Sequence, residues 1–371
     1  MRLVRGPLVR RRGRQRLREA LHRGARLTPV DDASRTAVVV VNWNRADLTT
    51  AAVRAVLAEG AADQVLVVDN GSSDDSVAVL RRDLPGATVI AREHNGGFAA
   101  GANTGIRHAD ADVVVLLNND AVPAPGFVRA LRDHLTQAGP EVAAVTGRIV
   151  LAGRWTGLPV GATPAPDQRV LQGHDGRLWT PSADGEVHLN STGVRVDRDG
   201  NGMDRDWFAP VDRVADVDVF GFSGGASALR RTALDDVGLL DESLFMYYED
   251  TELAWRLRRR GWRVEHAADA VVEHDHSASS GVQSDLFLFR NARNRMVVAL
   301  WHAPWATVLR AGARTLFRGL RGLLSASTRR EARLVLAAFA DVVGALPSHL
   351  ARRLRETRRA SVPRRSVDPG A

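Results

Sequence analysis

The sequence predicts an α/β fold, a doubly wound and mostly parallel sheet with basic helical flanks, and three observations support it. Short β-branched runs alternate with helical stretches from Arg35 onward. Polar clusters stand directly after three of those runs, Asn42-Trp43-Asn44, Asp69-Asn70-Gly71 and Asn118-Asn119-Asp120, at the strand ends where an open α/β sheet forms its ligand crevice. Charge is segregated: residues 1–35 carry 11 arginines against 3 acids, and residues 296–371 carry 14 against 4, around an acidic middle.

Thr36–Val41, TAVVVV, suits a buried parallel strand because its branched side chains pack on both faces of a pleated surface. Asp47 is placed to cap the Ala/Leu-rich helix that runs to Gly60. Gln64–Asp69 reads as a second strand, NGSSDDS as a turn and helix cap, Val77–Arg82 as a short helix and Ala87–Ala91 as a third strand. NGGFAAGANTG opens a helix that ends at His108, and Asp112–Asn118 is the fourth strand. Between 149 and 217 the rhythm stops. Glycine, proline, aspartate and arginine mix there with short apolar pieces such as Val187–Val196, which reads as an irregular insertion with a hairpin or two, placed where substrate loops commonly lie. Val214–Phe222 resumes the sheet.

Glu249–Arg260 has the ends of a helix: carboxylates Glu249, Asp250 and Glu252 in the first turn, arginines in the last, and Gly261 as the stop. The helix dipole alone accounts for Glu249 and Asp250. Tyr247 and Tyr248 before them, and His274 and His276 after an expected strand, also suit an acid and an imidazole sharing one pocket.

The chain of 371 residues contains no cysteine, which excludes a disulfide frame, a zinc-thiolate site and a cysteine nucleophile. All 51 basic residues are arginine. The two basic ends point to anionic partners, yet they carry no nucleic-acid reading motif, so no nucleic acid is expected. Arg310, Arg314, Arg318 and Arg321 form one stripe, with Leu309, Leu316, Leu320 and Leu324 free to face elsewhere, a pattern that fits a helix on a membrane surface. Residues 1–27 and 296–360 are accordingly expected to touch an anionic bilayer. The best candidate span, Met296–Leu309, is short and broken by His302 and Pro304, and the arginine-studded start does not fit a secretory signal. The expectation is a cytoplasmic protein resting on the inner face of the cell membrane. It has a basic helical extension at 1–35, a catalytic domain at 36–295 and a basic amphipathic helical region at 296–371.

Asp69 ends a strand, where a carboxylate either accepts from a base or ribose or simply forms the turn. Asn95-Gly96-Gly97-Phe98, with Gly101, Asn103 and Gly105, puts backbone amides at a helix start, which suits anionic groups. These glycines follow the third strand rather than the first, unlike a dinucleotide-binding fingerprint. Asp120 offers a hard oxygen to Mg²⁺ or Mn²⁺ beside a diphosphate, and His274, on joining it, tilts the preference to Mn²⁺.

In order along residues 36–295, VVVVNWN, VLVVDNGSSDDS, NGGFAAGANTG, VVVLLNND, GFSGGASALRR, GLLDESLFMYYEDTELAWRLRRRGW and VVEHDHSAS resemble the family-2 inverting glycosyltransferases of the GT-A fold, in the rhamnosyltransferase-like group. The resemblance implies a donor pocket lined by Asn42, Asn44, Asp69, Asn95, Gly96, Gly97, Asn103, Asn119 and Asp120, with Asp69 meeting the base. It implies a metal held by Asp120, the last acid of the family's DxD motif, with Asn118 at the place of the first. His274 matches the downstream histidine that completes the metal site, His276 remaining the alternative. Asp250 matches the catalytic base, beside Glu249. Gly224, Gly225, Arg290 and Asn291 are placed near the acceptor or the diphosphate. The implied donor is dTDP-rhamnose or a UDP-sugar, and the implied acceptor a saccharide or lipid-linked saccharide. Two other readings stand beside it: a nucleotidyltransferase, although VNWNRADLT lacks the glycine of such a loop, and a non-catalytic arginine-rich module that binds nucleic acid or lipid.

Overall fold

Strand β1 (Thr36–Asn42) is buried on both faces, as its unbroken run of valines requires, and it sits between two parallel partners. The computed structural model describes residues 34–159, 161–165, 168–173, 175–213, 216–275 and 284–367. The expected N-terminal helical extension with its membrane contact at 1–27, and His276, lie outside these residues. After β1 come α1 (Ala46–Glu59), β2 (Gln64–Asp69), α2 (Ser76–Asp83), β3 (Thr88–Ala91), α3 (Gly97–His108), β4 (Val113–Asn118), β5 (Ala121–Pro123), α4 (Phe127–Gln137) and β6 (Val142–Leu151). The insertion holds β7 (Trp155–Gly157), β8 (Leu171–Gln172), β9 (Leu178–Pro181), β10 (Leu189–Ser191), β11 (Val194–Val196) and β12 (Gly202–Asp204). Then follow β13 (Asp218–Val219), β14 (Ala226–Arg230), α5 (Arg231–Val237), α6 (Glu249–Arg260) and β15 (Arg263–His274). The chain closes with helices α7 (Asp285–His302), α8 (Trp305–Gly322), α9 (Arg329–Gly344), α10 (Leu346–Arg359) and α11 (Arg364–Val367).

The main path of the sheet runs β13-β15-β6-β14-β4-β1-β2-β3. Strands β1 to β4 are parallel, whereas β14 runs antiparallel to both β4 and β6. Alternation along β1 divides the core. Val38 and Val40 face α1 and α4 through Val53, Val56, Phe127 and Leu131, while Val39 faces α3 and α6 through Ala102, Ile106, Leu253 and Leu257.

Three local expectations are corrected. Arg45, not Asp47, holds the N-cap position of α1; Asp47 lies inside the first turn and takes the Arg45 guanidinium at 3.0 Å. Within the described part of 214–222, Asp218–Val219 pairs as an edge strand on β15 and Gly221 bridges to Val194, and the interior of the sheet is resumed by β14. The insertion is more ordered than expected, with a three-stranded sheet β7-β9-β8 and the hairpin β11-β12. The position 295/296, expected as a boundary, lies within the span of α7, and the C-terminal helices pack against α6. Trp255 of α6 shares an apolar cluster with Val297, Trp301 and Val342. Glu252, fully buried, ties the two regions: it pairs with Arg256 at 2.6 Å and accepts from His302 Nε2 at 2.9 Å. Burial alone would raise its carboxyl, but Arg256 and His302 hold it well below the usual range.

Candidate active site

Strand register gathers the polar residues at one sheet edge. Asn42 pairs with Asp69 across β1 and β2, Val41 with Asn118 across β1 and β4, and His274 with Ala121 across β15 and β5, which sets His274 beside Asp120. Because β14 runs antiparallel to β4, its leading Gly224-Gly225 arrives at the same edge, and Asn118 N–H donates to the Gly225 carbonyl at 3.0 Å. A Cβ on Gly225 would come within 3.0 Å of the Asn118 amide, so only glycine fits this approach without a shift.

A cavity of about 420 Å³ opens there. Asn42, Asn70, Asn95, Asn118, Asn119 and Asn190 contribute amides to its walls, Gly97, Gly224 and Gly225 contribute backbone, and Trp43, Phe98, Phe245 and Tyr247 contribute rings. Its ionisable groups are Asp204, Glu249, Asp250 and His274. Among the described residues, no arginine lines it.

His274 lies between two oxygens: its Nδ1 is 2.7 Å from Asn190 Oδ1 and its Nε2 is 3.0 Å from Asp120 Oδ1. An amide oxygen only accepts, so Nδ1 donates to Asn190 Oδ1, and Nε2 faces the nearly buried Asp120 carboxylate, where it can donate to Oδ1 or share a cation with it. Two ligands about 3 Å apart also match the edge of an octahedron with bonds of about 2.1 Å. The donor set of one carboxylate and one imidazole therefore fits a small divalent cation. Among the described residues, no group of three or more His, Cys, Asp or Glu stands ready for a metal, so further ligands must come from water or substrate.

The acid pair sits at the start of α6 behind a turn in which Phe245, Tyr247 and Tyr248 have φ of 68°, 67° and 72°. Asn294, fully buried on α7, holds this turn: its Nδ2 donates to the carbonyls of Leu244, Met246 and Tyr247 at 2.9, 3.0 and 2.9 Å. Asp250 Oδ2 accepts from Gly224 N–H at 3.2 Å, and Oδ1 accepts from the Thr251 hydroxyl at 3.1 Å, which fixes its carboxylate at the wall. Burial pushes the Asp250 carboxyl up, and these hydrogen bonds oppose that only in part. Burial and the neighbouring Asp250 push Glu249 up as well, and no group bonds its Oε2.

Several expected donor residues do not line the cavity, and Asp120, 6% exposed, is among them: it meets the site through His274. Asp69 is 1% exposed, and its oxygens accept from Asn42 Nδ2 at 2.8 Å and the Ser72 hydroxyl at 2.6 Å, so it positions the loops rather than offering itself to a base. Asn44 is absent from the walls; it bonds Ser72 and Ser73. The Gly96-Gly97 amides are not free for an anion, because Gly97 N–H donates to Asn95 Oδ1 at 2.8 Å and Gly96 N–H to Asn70 Oδ1 at 3.4 Å. Asn103 clamps the loop at 240–242 to α3 through both its amide atoms. Arg290 lies over the Phe245 ring at 5.1 Å, outside the walls, and Asn291 is not on them either; the second Arg-Asn pair of the segment supplies the structural amide, Asn294. Sequence reasoning missed two residues. Asn294 repeats the Arg-Asn pattern three positions on. Asp204, on the insertion hairpin, had no signal beyond an acid after an apolar pair; burial and Asp250 raise it to about 6.

The family model of glycosyl transferase family 2 matches residues 37–238, more than half of the chain. The chain is a family-2 glycosyltransferase. The match ends before Asp250 and His274, which join the site by geometry. This glycosyltransferase is 26% identical to an N-acetylglucosaminyl-diphospho-decaprenol L-rhamnosyltransferase of Mycobacterium tuberculosis (strain ATCC 25618 / H37Rv), over 73% of its own length and 88% of the relative's. It is 29% identical to a pre-mycofactocin glycosyltransferase of the same strain, over 57% of its own length, and spans 37% of that relative. GalNAc-T7, solved with UDP, GalNAc and Mn²⁺, shares the GT-A fold at a TM-score of 0.55 and 15% identity, over 94% of this chain and 67% of that one. Membership in the family sets aside the nucleotidyltransferase and binding-module readings.

The raised Glu249 carboxyl makes stability depend on pH. Above about pH 4 an unfolded Glu ionises while the buried one keeps its proton, so the folded state holds the extra proton and its stability falls as pH rises toward the native value. Glu249→Gln is expected to leave the melting temperature at pH 5 nearly unchanged and to raise it by about 3 °C at pH 9, as read by calorimetry. An equal shift at both pH values would contradict the burial of a neutral carboxyl.

Proposed function

We propose that this glycosyltransferase moves a sugar with inversion from a nucleoside diphosphate to a hydroxyl of a saccharide or lipid-linked saccharide. Asp250 is the general base, and Asp120 with His274 holds Mn²⁺ or Mg²⁺. The observation that carries the reading is the charge of the cavity: in a chain of 51 arginines, none of the described ones lines a pocket that must accept a diphosphate. The bound cation would supply the positive charge that stabilises the leaving diphosphate. Imidazole in the ligand pair favours Mn²⁺.

Inversion requires a base on the face opposite the leaving group. Asp250 is held by Gly224 and Thr251 with its carboxylate at the cavity wall, and its raised pKa strengthens it as a proton acceptor from the acceptor hydroxyl. Glu249, kept neutral by burial, avoids placing a second negative charge beside it. Asp204, on the wall contributed by the insertion, is placed to accept from sugar hydroxyls. Asn70, Asn95, Asn118 and Asn119 offer amides to the nucleotide and diphosphate, with Asn42 and Asp69 setting the positions of the loops. The donor is dTDP-rhamnose or a UDP-sugar, and the decaprenol-linked substrate in the name of the rhamnosyltransferase relative supports a lipid-linked acceptor.

We assign catalysis to residues 36–295 and contact with the inner face of the cell membrane to the helices beyond. No single described helix is long and apolar enough to cross a bilayer; only the pair α9 and α10, bent by 66°, passes by length and composition together. The expected arginine stripe is largely committed to the protein: Arg310 and Arg314 pair with Asp199, and Arg318 with Glu331. The exposed side of α8 also carries apolar side chains, with Leu309 70%, Phe317 65% and Leu320 53% exposed. Surface insertion is therefore led by these side chains, with Arg321 beside them.

Asp250→Asn is expected to lower kcat by about 10²- to 10⁴-fold with donor binding retained. Near-normal turnover of the folded variant would remove Asp250 from its role. For the membrane, flotation with vesicles of phosphatidylglycerol and phosphatidylcholine is expected to retain the wild type and to lose a Phe317→Glu/Leu320→Glu double variant. Equal flotation of both would contradict contact through α8.

A further inference from the structure

A second cavity, also about 420 Å³, lies between α5, the C-terminal end of α6 and α10. The cavity is lined by Arg256, Arg259 and Arg260, near the far end of α6 from Glu249, so it lies about 10 to 17 Å along the helix from the acid pair. Most of its charged groups are already committed. Arg256 binds Glu252 and the carbonyls of Val237, Gly238 and Leu239. Arg260 pairs with Asp236 at 2.6 Å, and Glu356 accepts from Arg352 at 2.8 Å.

Arg259 is the exception. It is 4% exposed and lines the cavity, yet its Nε and Nη1 have no hydrogen-bond partner. His302, on the same wall, spends Nε2 on Glu252 and leaves Nδ1 without a partner. The positive charge around Arg259 is only partly offset, by Glu356, which is bonded to Arg352, and by Asp235 on the wall. Arg353, 7% exposed, spends Nη1 on the carbonyls of Leu300 and Ala303, and Arg364 donates to the carbonyls of Trp301 and Arg353, so neither brings a negative partner. Burial and the nearby Arg364 push the Arg259 guanidinium down to about 10. Water can satisfy an N–H but leaves a desolvated cation uncompensated; an oxyanion does both.

We propose that this cavity binds a phosphate or diphosphate group, with Arg259 as its buried donor and the exposed Arg359 at the mouth. The site is separate from the donor cavity, and binding there would lock the C-terminal helices onto α6. The group belongs to a soluble phosphate ester or to a lipid headgroup.

The test uses the full chain in phosphate-free buffer with EDTA, so that the metal-dependent donor site is silent, at constant ionic strength. Thermal melts are followed as inorganic pyrophosphate or phosphatidylglycerol vesicles are added. Wild type is expected to gain about 2 °C or more, saturably, with at least one probe. Arg259→Met is expected to start at or above the wild-type melting temperature, having lost a buried unpaired charge, and to gain nothing. Arg359→Ala, an exposed change, is expected to weaken the response about tenfold and carries the comparison should Arg259→Met not fold. A response to pyrophosphate assigns a soluble ester, and a response to vesicles alone assigns a headgroup. No gain in wild type, equal gains in wild type and Arg259→Met, or an unchanged response in Arg359→Ala would overturn the site.

Discussion

One side-chain amide meets three carbonyls. Asn294 reaches from α7 to the carbonyls of Leu244, Met246 and Tyr247 and so stabilises a turn in which three bulky residues adopt positive φ. Left-handed backbone costs about 1 kcal/mol or more at each such residue, and a buried amide with satisfied partners is among the few groups able to hold it. The turn delivers Glu249 and Asp250 to the cavity wall at the head of α6 instead of on its flank. Gly97 answers from the opposite side, since any side chain there would collide with the Phe245 carbonyl. The C-terminal helices therefore help to hold the cavity wall, and Glu252, bridging Arg256 and His302, is the second fastening of the same joint.

The chain uses arginine as a strut. Arg230 is buried and donates to the carbonyls of Val142 and Leu135; Arg231 donates to those of Ile106, Ala109 and Ala111; Arg256 and Arg353 cover the ends of neighbouring elements in the same way. A planar guanidinium with several fixed donors suits this work better than a single ammonium. The cavity stands out against that background because carboxyls and one imidazole line it where cationic side chains are abundant elsewhere. A cation at the Asp120–His274 edge, as proposed, would offset the charge of a polyanion bound in a pocket of that sign.

Much of this was legible in the chain. β1, β2 and β4 are continuous β-branched runs, and such runs have few alternatives to a strand buried on both faces. The catalytic helix declared both its ends, acids first and Gly261 last, and it forms over those residues, with Gly261 in the left-handed conformation at φ 97°. β6 and β14 were harder. Gly147 interrupts one and the buried Arg230 ends the other, and their pairing is antiparallel or distant, so no local pattern marks them. The glycine-rich loop misled for a specific reason: its amides look available in one dimension, but Asn95 from within the loop, and Asn70 and the Phe245 carbonyl from far along the chain, consume them. Asp69 was expected to face the ligand, and the hydroxyl and amide around it make it a keystone of the loops instead. Asp204 and Asn294 gain meaning only once the hairpin and α7 are folded against the cavity.

The proposed chemistry requires Asp120, His274 and Asp250 to converge on one bound donor. Crystals grown with Mn²⁺ and a nucleoside diphosphate, measured at the manganese edge, address that most directly. An anomalous peak within bonding distance of Asp120 and His274 Nε2, with the diphosphate on it and the Asp250 carboxylate across the cavity, is the predicted result. A nucleotide bound with the metal elsewhere, or with Asp250 shielded from the place the sugar occupies, would contradict it.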